Sequence, residues 1–342
     1  MVNDVAKILK RLNIAACVII LTLSYIFVFT RLFRQDGLTD IVSFFMTFDI
    51  KDKMLYLLLL LVFMFINWGI ESNKWRYVLS KEYQLSFFKA LQATFLGVCV
   101  SFIFPNRSGD FLGRGFALPQ GFALKGAAAT ILGNFSQLIV TLIMGVIGGG
   151  YMLLAHFYHS VDTLVLCLVF FLVFLLLIFF LYIYFNIGKI YRLCQKIGWL
   201  QQSNWMEKLC FFQTYTFKEL LNILLFSVGR YVVFVVQMYF AFQVFELSFP
   251  ICPFVMMTFL YFLFTSLVPT WVLSELGVRA SVALLLYADS ALLVSASGVT
   301  DLSIVAATTF LWLLNVVLPA LIGSFFVFSL RVFRTKTTTT ND

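Results

Sequence analysis

Charge is the scarcest commodity in this sequence. Asp, Glu, Lys and Arg together make up 12% of its 342 residues, against 62% hydrophobic. A water-facing domain carries about 25% charged residues, so this chain has too few to cover a solvated surface. It belongs in a bilayer, and its mean hydropathy of +0.98 agrees. Histidine is nearly missing. His156 and His159 stand alone at the edge of an apolar run, too few to suggest a metal site. The cysteines Cys17, Cys99, Cys167, Cys194, Cys210 and Cys252 form no CxxC pair, and most lie in apolar runs, where a thiol acts as a small hydrophobe. No nucleotide-binding loop and no cofactor motif is present, so no cofactor is expected. No A-x-A-like cleavage site follows the apolar run behind "KILKR", which therefore reads as a first spanning helix rather than a signal peptide. The net charge of +8 does not point to nucleic acid. The basic residues fall between apolar segments, where they set topology and meet anionic headgroups.

What the sequence has in abundance is apolar length. Clear segments cover about 12–30, 54–70, 86–104, 126–155, 163–185, 219–247, 250–268, 277–290 and 303–330. A helix of roughly 20 residues spans a hydrocarbon core. Four basic clusters interrupt them: Lys7, Lys10 and Arg11; Lys74, Arg76, Lys81 and Lys89; Lys189, Arg192, Lys196, Lys208 and Lys218; and Arg331, Arg334 and Lys336. The positive-inside rule assigns all four to the cytoplasm. Following the crossings then places both ends of 86–125 inside and both ends of 250–290 outside. Neither stretch can be a single span. Each is predicted to be a re-entrant helical hairpin, the first entering from the inner face and the second from the outer.

The expected fold is an all-α polytopic membrane protein of about six spanning helices plus two re-entrant hairpins. Residues 10–155 and 163–330 form the two arms of an inverted-topology repeat within one membrane domain, and 331–342 is a short cytosolic tail. Sites in such repeats form near the midplane, where broken helices meet. "DIVSFFMTFDI", 40–50, and "RLCQKIGWLQQSNWMEKL", 192–209, read as interfacial helices on opposite faces. "GGG", 148–150, reads as a packing or flexing point.

The first bend, "FPNRSGDFLGRG", concentrates Pro105, Arg107, Ser108, Gly109, Asp110 and Arg114. Pro105 breaks a helix, Ser108 or Asp110 could cap the one that restarts, and its N-terminus beside Arg107 favours an anion. Asp110 and Arg114 stand four apart on one helical face. The second bend, "VPTWVLSELGVR", carries Pro269, Ser274, Glu275, Gly277 and Arg279, with Glu275 and Arg279 again four apart. Arg230 and Gln237 share one face of a third apolar segment, and Asn134 and Gln137 sit in a fourth. Ionisable groups at membrane depth are costly and read as functional. Structural alternatives stay open: the pairs could merely brace the bends, Arg230 could snorkel to the interface, and Asn134 and Gln137 could bond helix to helix.

"FPNRSGDFLGRGFAL" resembles the Pro-x-Arg-x-Gly-acidic pattern, with its following Arg, of the lysylphosphatidylglycerol synthase transmembrane region, a flippase-like integral membrane family. "VPTWVLSELGVRASVALL" is similar to that family's second pattern, with Glu275 before Gly277 and Ala280 after Arg279 where an acidic residue is usual. The resemblance covers roughly 10–330. It implies a region that moves lipids between leaflets, without the aminoacyltransferase domain of fused members, since the sequence closes on "RTKTTTTND".

On this reading the chain is not an enzyme but a lipid translocator of the cytoplasmic membrane, with both termini cytoplasmic. Its cargo bears a phosphate, and the expected substrate-binding residues are Arg107, Ser108, Gly109, Asp110, Arg114, Asn134, Arg230, Glu275, Gly277 and Arg279. The partners are membrane lipids with an anionic or phosphate-bearing headgroup, and envelope-biosynthesis enzymes are possible; nucleic acid is not expected. Two alternatives remain: a membrane enzyme acting on lipid-linked substrates, with Asp110 or Glu275 as base, or a non-transporting accessory subunit of an envelope-lipid synthesis complex.

Overall fold

The computed structural model describes residues 49–102, 104, 108–119, 121–155, 163–196, 209–270, 272–288, 290, 294–295 and 300–326, with isolated positions between 22 and 30. Most of the first predicted span, the helix at 40–50 apart from its last two residues, both histidines, Pro105, Arg107 and the tail lie outside the described residues.

Among the described residues, four helices are long and apolar enough to cross a membrane. They are α1 (Ile50–Leu79), α4 (Ala123–Ala155), α7 (Phe217–Val244) and the run of α10 (Thr300–Trp312) into α11 (Leu318–Ser324). A fifth crosses if the bent pair α5 (Thr163–Phe185) and α6 (Ile187–Gln195) counts as one span; the pair turns by 79° at Asn186. Asn186 accepts backbone bonds from Lys189 and Ile190, which start the second helix. The predicted interfacial helix at 192–209 thus begins earlier, at Ile187, and residues 197–208 lie outside the described set. The chain is an all-α polytopic membrane protein, as expected. Among the described residues the one β element is a two-residue antiparallel ladder, Leu247–Ser248 with Val294–Ser295.

Two shorter apolar helices fall where the charge parity refused a span. They are α2 (Phe87–Ser101, 15 residues) and α8 (Ile251–Leu267, 17 residues). At 1.5 Å per residue they reach about 22 and 26 Å, short of a ~30 Å core. Each is followed by a break and a second short helix, α3 (Gly109–Phe116) and α9 (Val272–Ala283). The second break has a visible cause: Val268 turns extended, at φ −84° and ψ 118°, because the residue before Pro269 is barred from the α region.

A wide π turn follows α9, at Leu284–Ala288, and another joins α10 to α11, at Leu313–Val317. The second lies before Pro319, in the first turn of α11. Proline has no N–H to give the carbonyl four residues back, which here is that of Asn315. One turn earlier, the Asn315 side chain donates to Leu311 O at 3.2 Å.

The contacts divide the chain into two compact units. The first takes the described residues up to Asn67, with Leu138–Leu181 and Val228–Asn315; the second takes Trp68–Gln137, Tyr182–Ser227 and the described residues from Val316 on. The hairpin α2–α3 belongs to the second unit and α8–α9 to the first. Within the first, Phe242, Phe249, Phe254 and Tyr287 form an aromatic core. There the expected packing role of the triglycine is met: a Cβ on Gly148 would stand 2.6 Å from Met256 O on α8.

Candidate functional site

A buried network of four charges anchors the first hairpin. Arg114 grips Asp110 with two parallel bonds, Nε to Oδ1 at 2.8 Å and Nη2 to Oδ2 at 2.9 Å. Its remaining nitrogen, Nη1, reaches Glu71 Oε1 on α1 at 3.0 Å. Lys74 Nζ, one turn further along α1, meets Glu71 Oε2 at 2.8 Å. Lys74 also donates to Gly133 O at 3.1 Å and to Ser227 Oγ at 3.4 Å, and Ser227 shares a 2.6 Å hydrogen bond with Ser136. Glu71, Lys74 and Arg114 are buried, with at most 2% of their surface exposed, and Asp110 retains 9%. Among the described residues two acids oppose two bases, so their charges balance. That balance is what makes its burial tolerable, since an isolated ion away from water costs several kcal/mol.

Small residues bring the arms this close. A Cβ on Gly97 would lie 2.3 Å from Asp110 Oδ1, and one on Gly113 would lie 2.7 Å from Gly97 Cα. The two glycines let α2 and α3 touch backbone to backbone, with the Asp110 carboxylate in the space a side chain would fill. Trp75 lies behind the guanidinium, 6.0 Å from ring centre to Arg114 Cζ, and donates its indole N–H to Gly126 O.

Two sequence expectations, on Lys74 and on the caps, are corrected here. Lys74 is not a headgroup-facing member of the second basic cluster; it is sealed in the network, because Glu71 on the same helical face neutralises it. Neither proposed cap operates as expected. Ser108 holds the cap position without a side-chain bond to the helix, and the Asp110 carboxylate is committed to Arg114. Gly109 is buried in the first turn of α3. Asn134 is exposed on α4. Arg107 lies outside the described residues.

The second hairpin repeats the pairing in the other unit. Arg279 approaches Glu275 Oε1 through Nε at 2.9 Å and Nη2 at 2.8 Å. It also hydrogen-bonds the buried Tyr261 on α8, so this pair too ties the two arms of its hairpin. Gly277 is buried between the two charged residues in sequence. Elsewhere in that unit Arg230 does not snorkel. Its Nε donates to Asn67 Oδ1 at 2.7 Å, and its guanidinium covers the Phe234 ring at 5.2 Å. Asn67 Nδ2 reaches Gln237 Oε1 at 3.5 Å and Asn315 Oδ1 at 3.4 Å, so the expected Arg230–Gln237 face is real and works through a mediator.

Sequence reasoning missed Glu71, Lys74, Asn67 and Asn315. Only the Glu71–Lys74 spacing of three, beside an apolar run, signalled a shared face.

Among curated proteins, none matches the chain. The sequence pattern of the family described as Lysylphosphatidylglycerol synthase TM region matches residues 13–323, nearly the whole length. That match takes in both broken hairpins and both acid–arginine pairs. The chain therefore belongs to the lysylphosphatidylglycerol synthase transmembrane-region family.

Proposed function

We propose that this protein is a lipid translocator that carries a phosphate-bearing lipid between the leaflets of the cytoplasmic membrane, and that it is not an enzyme. One observation carries the reading. Each compact unit holds a broken apolar hairpin whose second arm opens with a carboxylate and an arginine four residues later. Irregular backbone at membrane depth must be buried in protein or line a watery cavity, and paired breaks of this kind are where transporters of inverted-repeat design hold cargo.

The chain path supports the inverted arrangement of 10–155 and 163–330. α1, α5 and the α10–α11 run enter from the first unit and leave in the second, while α4 and α7 run the other way. Among the described residues the first unit carries only Lys51, Lys53, Arg230 and Arg279 as bases, and the second carries Lys74, Arg76, Lys81, Lys89, Arg114, Lys125, Lys189, Arg192, Lys196 and Lys218. That asymmetry supports a cytoplasmic reading of the second unit's basic residues.

The mechanism separates bracing from binding. In the second unit, the neutral network fixes the depth and direction of α3. Arg107, at the break itself, is assigned the headgroup phosphate, which a guanidinium binds in two-point fashion. Glu275, Arg279 and Arg230 serve the opposite half. The test is reconstitution in phosphatidylglycerol–phosphatidylcholine vesicles with a fluorescent phospholipid and an external quencher. The native protein is expected to expose inner-leaflet label, and Arg107→Gln to slow this at least tenfold while melting normally. Equal rates with and without native protein would remove the translocator reading and leave the accessory-subunit one.

A further inference from the structure

A second polar site opens at the basic end of α1, outside the four-charge network. A cleft of about 290 Å³ is lined by Asn73, Arg76, Tyr77, Ser80, Gln84 and Leu85, with Phe226 of α7 as its far wall. All of these residues belong to the second unit. Among the described residues of the lining, Arg76 is the only charged one.

What distinguishes this cleft is hydrogen-bonding capacity left unspent. Among the described residues the Arg76 guanidinium makes no hydrogen bond or ion pair, and neither do the Asn73 and Gln84 amides. The nearby cations are committed elsewhere: Lys81 to Glu219 and Thr214 O, Lys74 to Glu71, Lys125 to Glu82. The Tyr77 hydroxyl accepts from Asn222 Nδ2 at 3.2 Å, which leaves its proton available to donate inward. An arginine that is half-buried and unpaired is rare in a chain that pairs its other buried charges. It lies six residues past the apolar run 54–70, at the headgroup level of α1 rather than in the hydrocarbon.

We propose that this cleft binds the phosphate of an anionic lipid headgroup, as a loading site on the basic face. Arg76 supplies two-point recognition of the phosphate oxygens, Tyr77, Gln84 and Asn73 supply neutral donors, and Leu85 and Phe226 offer an apolar wall to the glycerol end. The volume suits a headgroup and excludes a whole lipid, since pockets that enclose drug-sized ligands run to about 300–1,000 Å³. The lipid, rather than a free phosphate, as the source rests on the translocator reading; the phosphate chemistry does not.

The test is native mass spectrometry of the detergent-solubilised full chain with dioleoylphosphatidylglycerol, with dioleoylphosphatidylcholine, and with inorganic phosphate as competitor. The native protein is expected to retain phosphatidylglycerol over phosphatidylcholine. Arg76→Gln is expected to lower that retention about tenfold, as befits a lost charge-assisted contact, and Arg76→Lys to keep part of it. Because Arg76 braces nothing, Arg76→Gln should melt as the native protein does. Displacement of the lipid by millimolar phosphate would identify a phosphate site open to soluble anions; no displacement would identify a headgroup site. Retention by Arg76→Gln equal to native would overturn the proposal. Retention is read without any translocation, so failure of the vesicle assay and failure of this site remain distinct results.

Discussion

At the scale of single residues, the governing fact is that charges inside this protein occur in matched sets. Arg114 spends Nε, Nη1 and Nη2 on two carboxylates, and Glu71 divides its oxygens between Arg114 and Lys74. Removing one member leaves an uncompensated ion, which costs about 3–5 kcal/mol for a buried pair. Glu71→Gln is therefore expected to lower the melting temperature sharply, and Glu71→Gln combined with Lys74→Met to recover part of the loss, because the double change restores the balance. Thermal melts of the two purified variants decide this; a double variant worse than the sum of its parts would contradict it. The sequence exposed half of the network. Asp110 and Arg114 announce themselves as neighbours on one helical turn in an apolar context. Glu71 and Lys74 did not, because charges at the end of an apolar run look like ordinary interfacial residues, and nothing local marks a partner 43 positions away. Asn67 and Asn315 are harder still. A lone amide in a helix carries no periodic signal, and only the packing around Arg230 and Gln237 gives it meaning.

At the scale of elements, the two broken hairpins were legible and their tightness was not. Charge parity forbade a span at 86–125 and at 250–290, and the chain forms short helices of 15 and 17 residues followed by breaks in those stretches. Proline explains where the second hairpin stops, since backbone sterics act on the residue before it. The π turns were not foreseen. Pro319 signals the second of them only once Asn315 is known to lie in a helix that must continue past it. The α2–α3 contact likewise depends on Gly97 and Gly113, which face each other across 16 residues of chain. Gly97→Ala would drive a Cβ to 2.3 Å from Asp110 Oδ1. Overpacking of this kind costs about 1–3 kcal/mol, and here it also prises Asp110 from Arg114. The variant is expected to lose thermal stability and lipid translocation together. Native-like melting would show that the hairpin relaxes more easily than its backbone contact implies.

At the scale of the whole molecule, composition alone settled the class, and the family match over residues 13–323 agrees with it. The described spans begin within four residues of the apolar segments read from the sequence, but their ends differ more: α1 runs nine residues past its segment, through Glu71, Lys74 and Arg76, and the α5–α6 pair runs ten past, through Lys189 and Arg192, because hydropathy discounts polar turns that helix geometry retains. What sequence cannot supply is sidedness in three dimensions, because parity arguments rest on counting crossings. The proposed translocation path requires the two hairpins to enter from opposite faces. Four single cysteines in a background lacking the native six test it most directly. They replace Ser86 and Lys125, which flank the first hairpin, and Ser248 and Ser290, which flank the second. A membrane-impermeant maleimide is then applied to intact and to permeabilised cells. The account predicts that Ser86→Cys and Lys125→Cys label only after permeabilisation, and that Ser248→Cys and Ser290→Cys label from outside. Labelling of Lys125→Cys from outside would make 86–125 an ordinary crossing, and would contradict both the inverted repeat and the translocation path built on it.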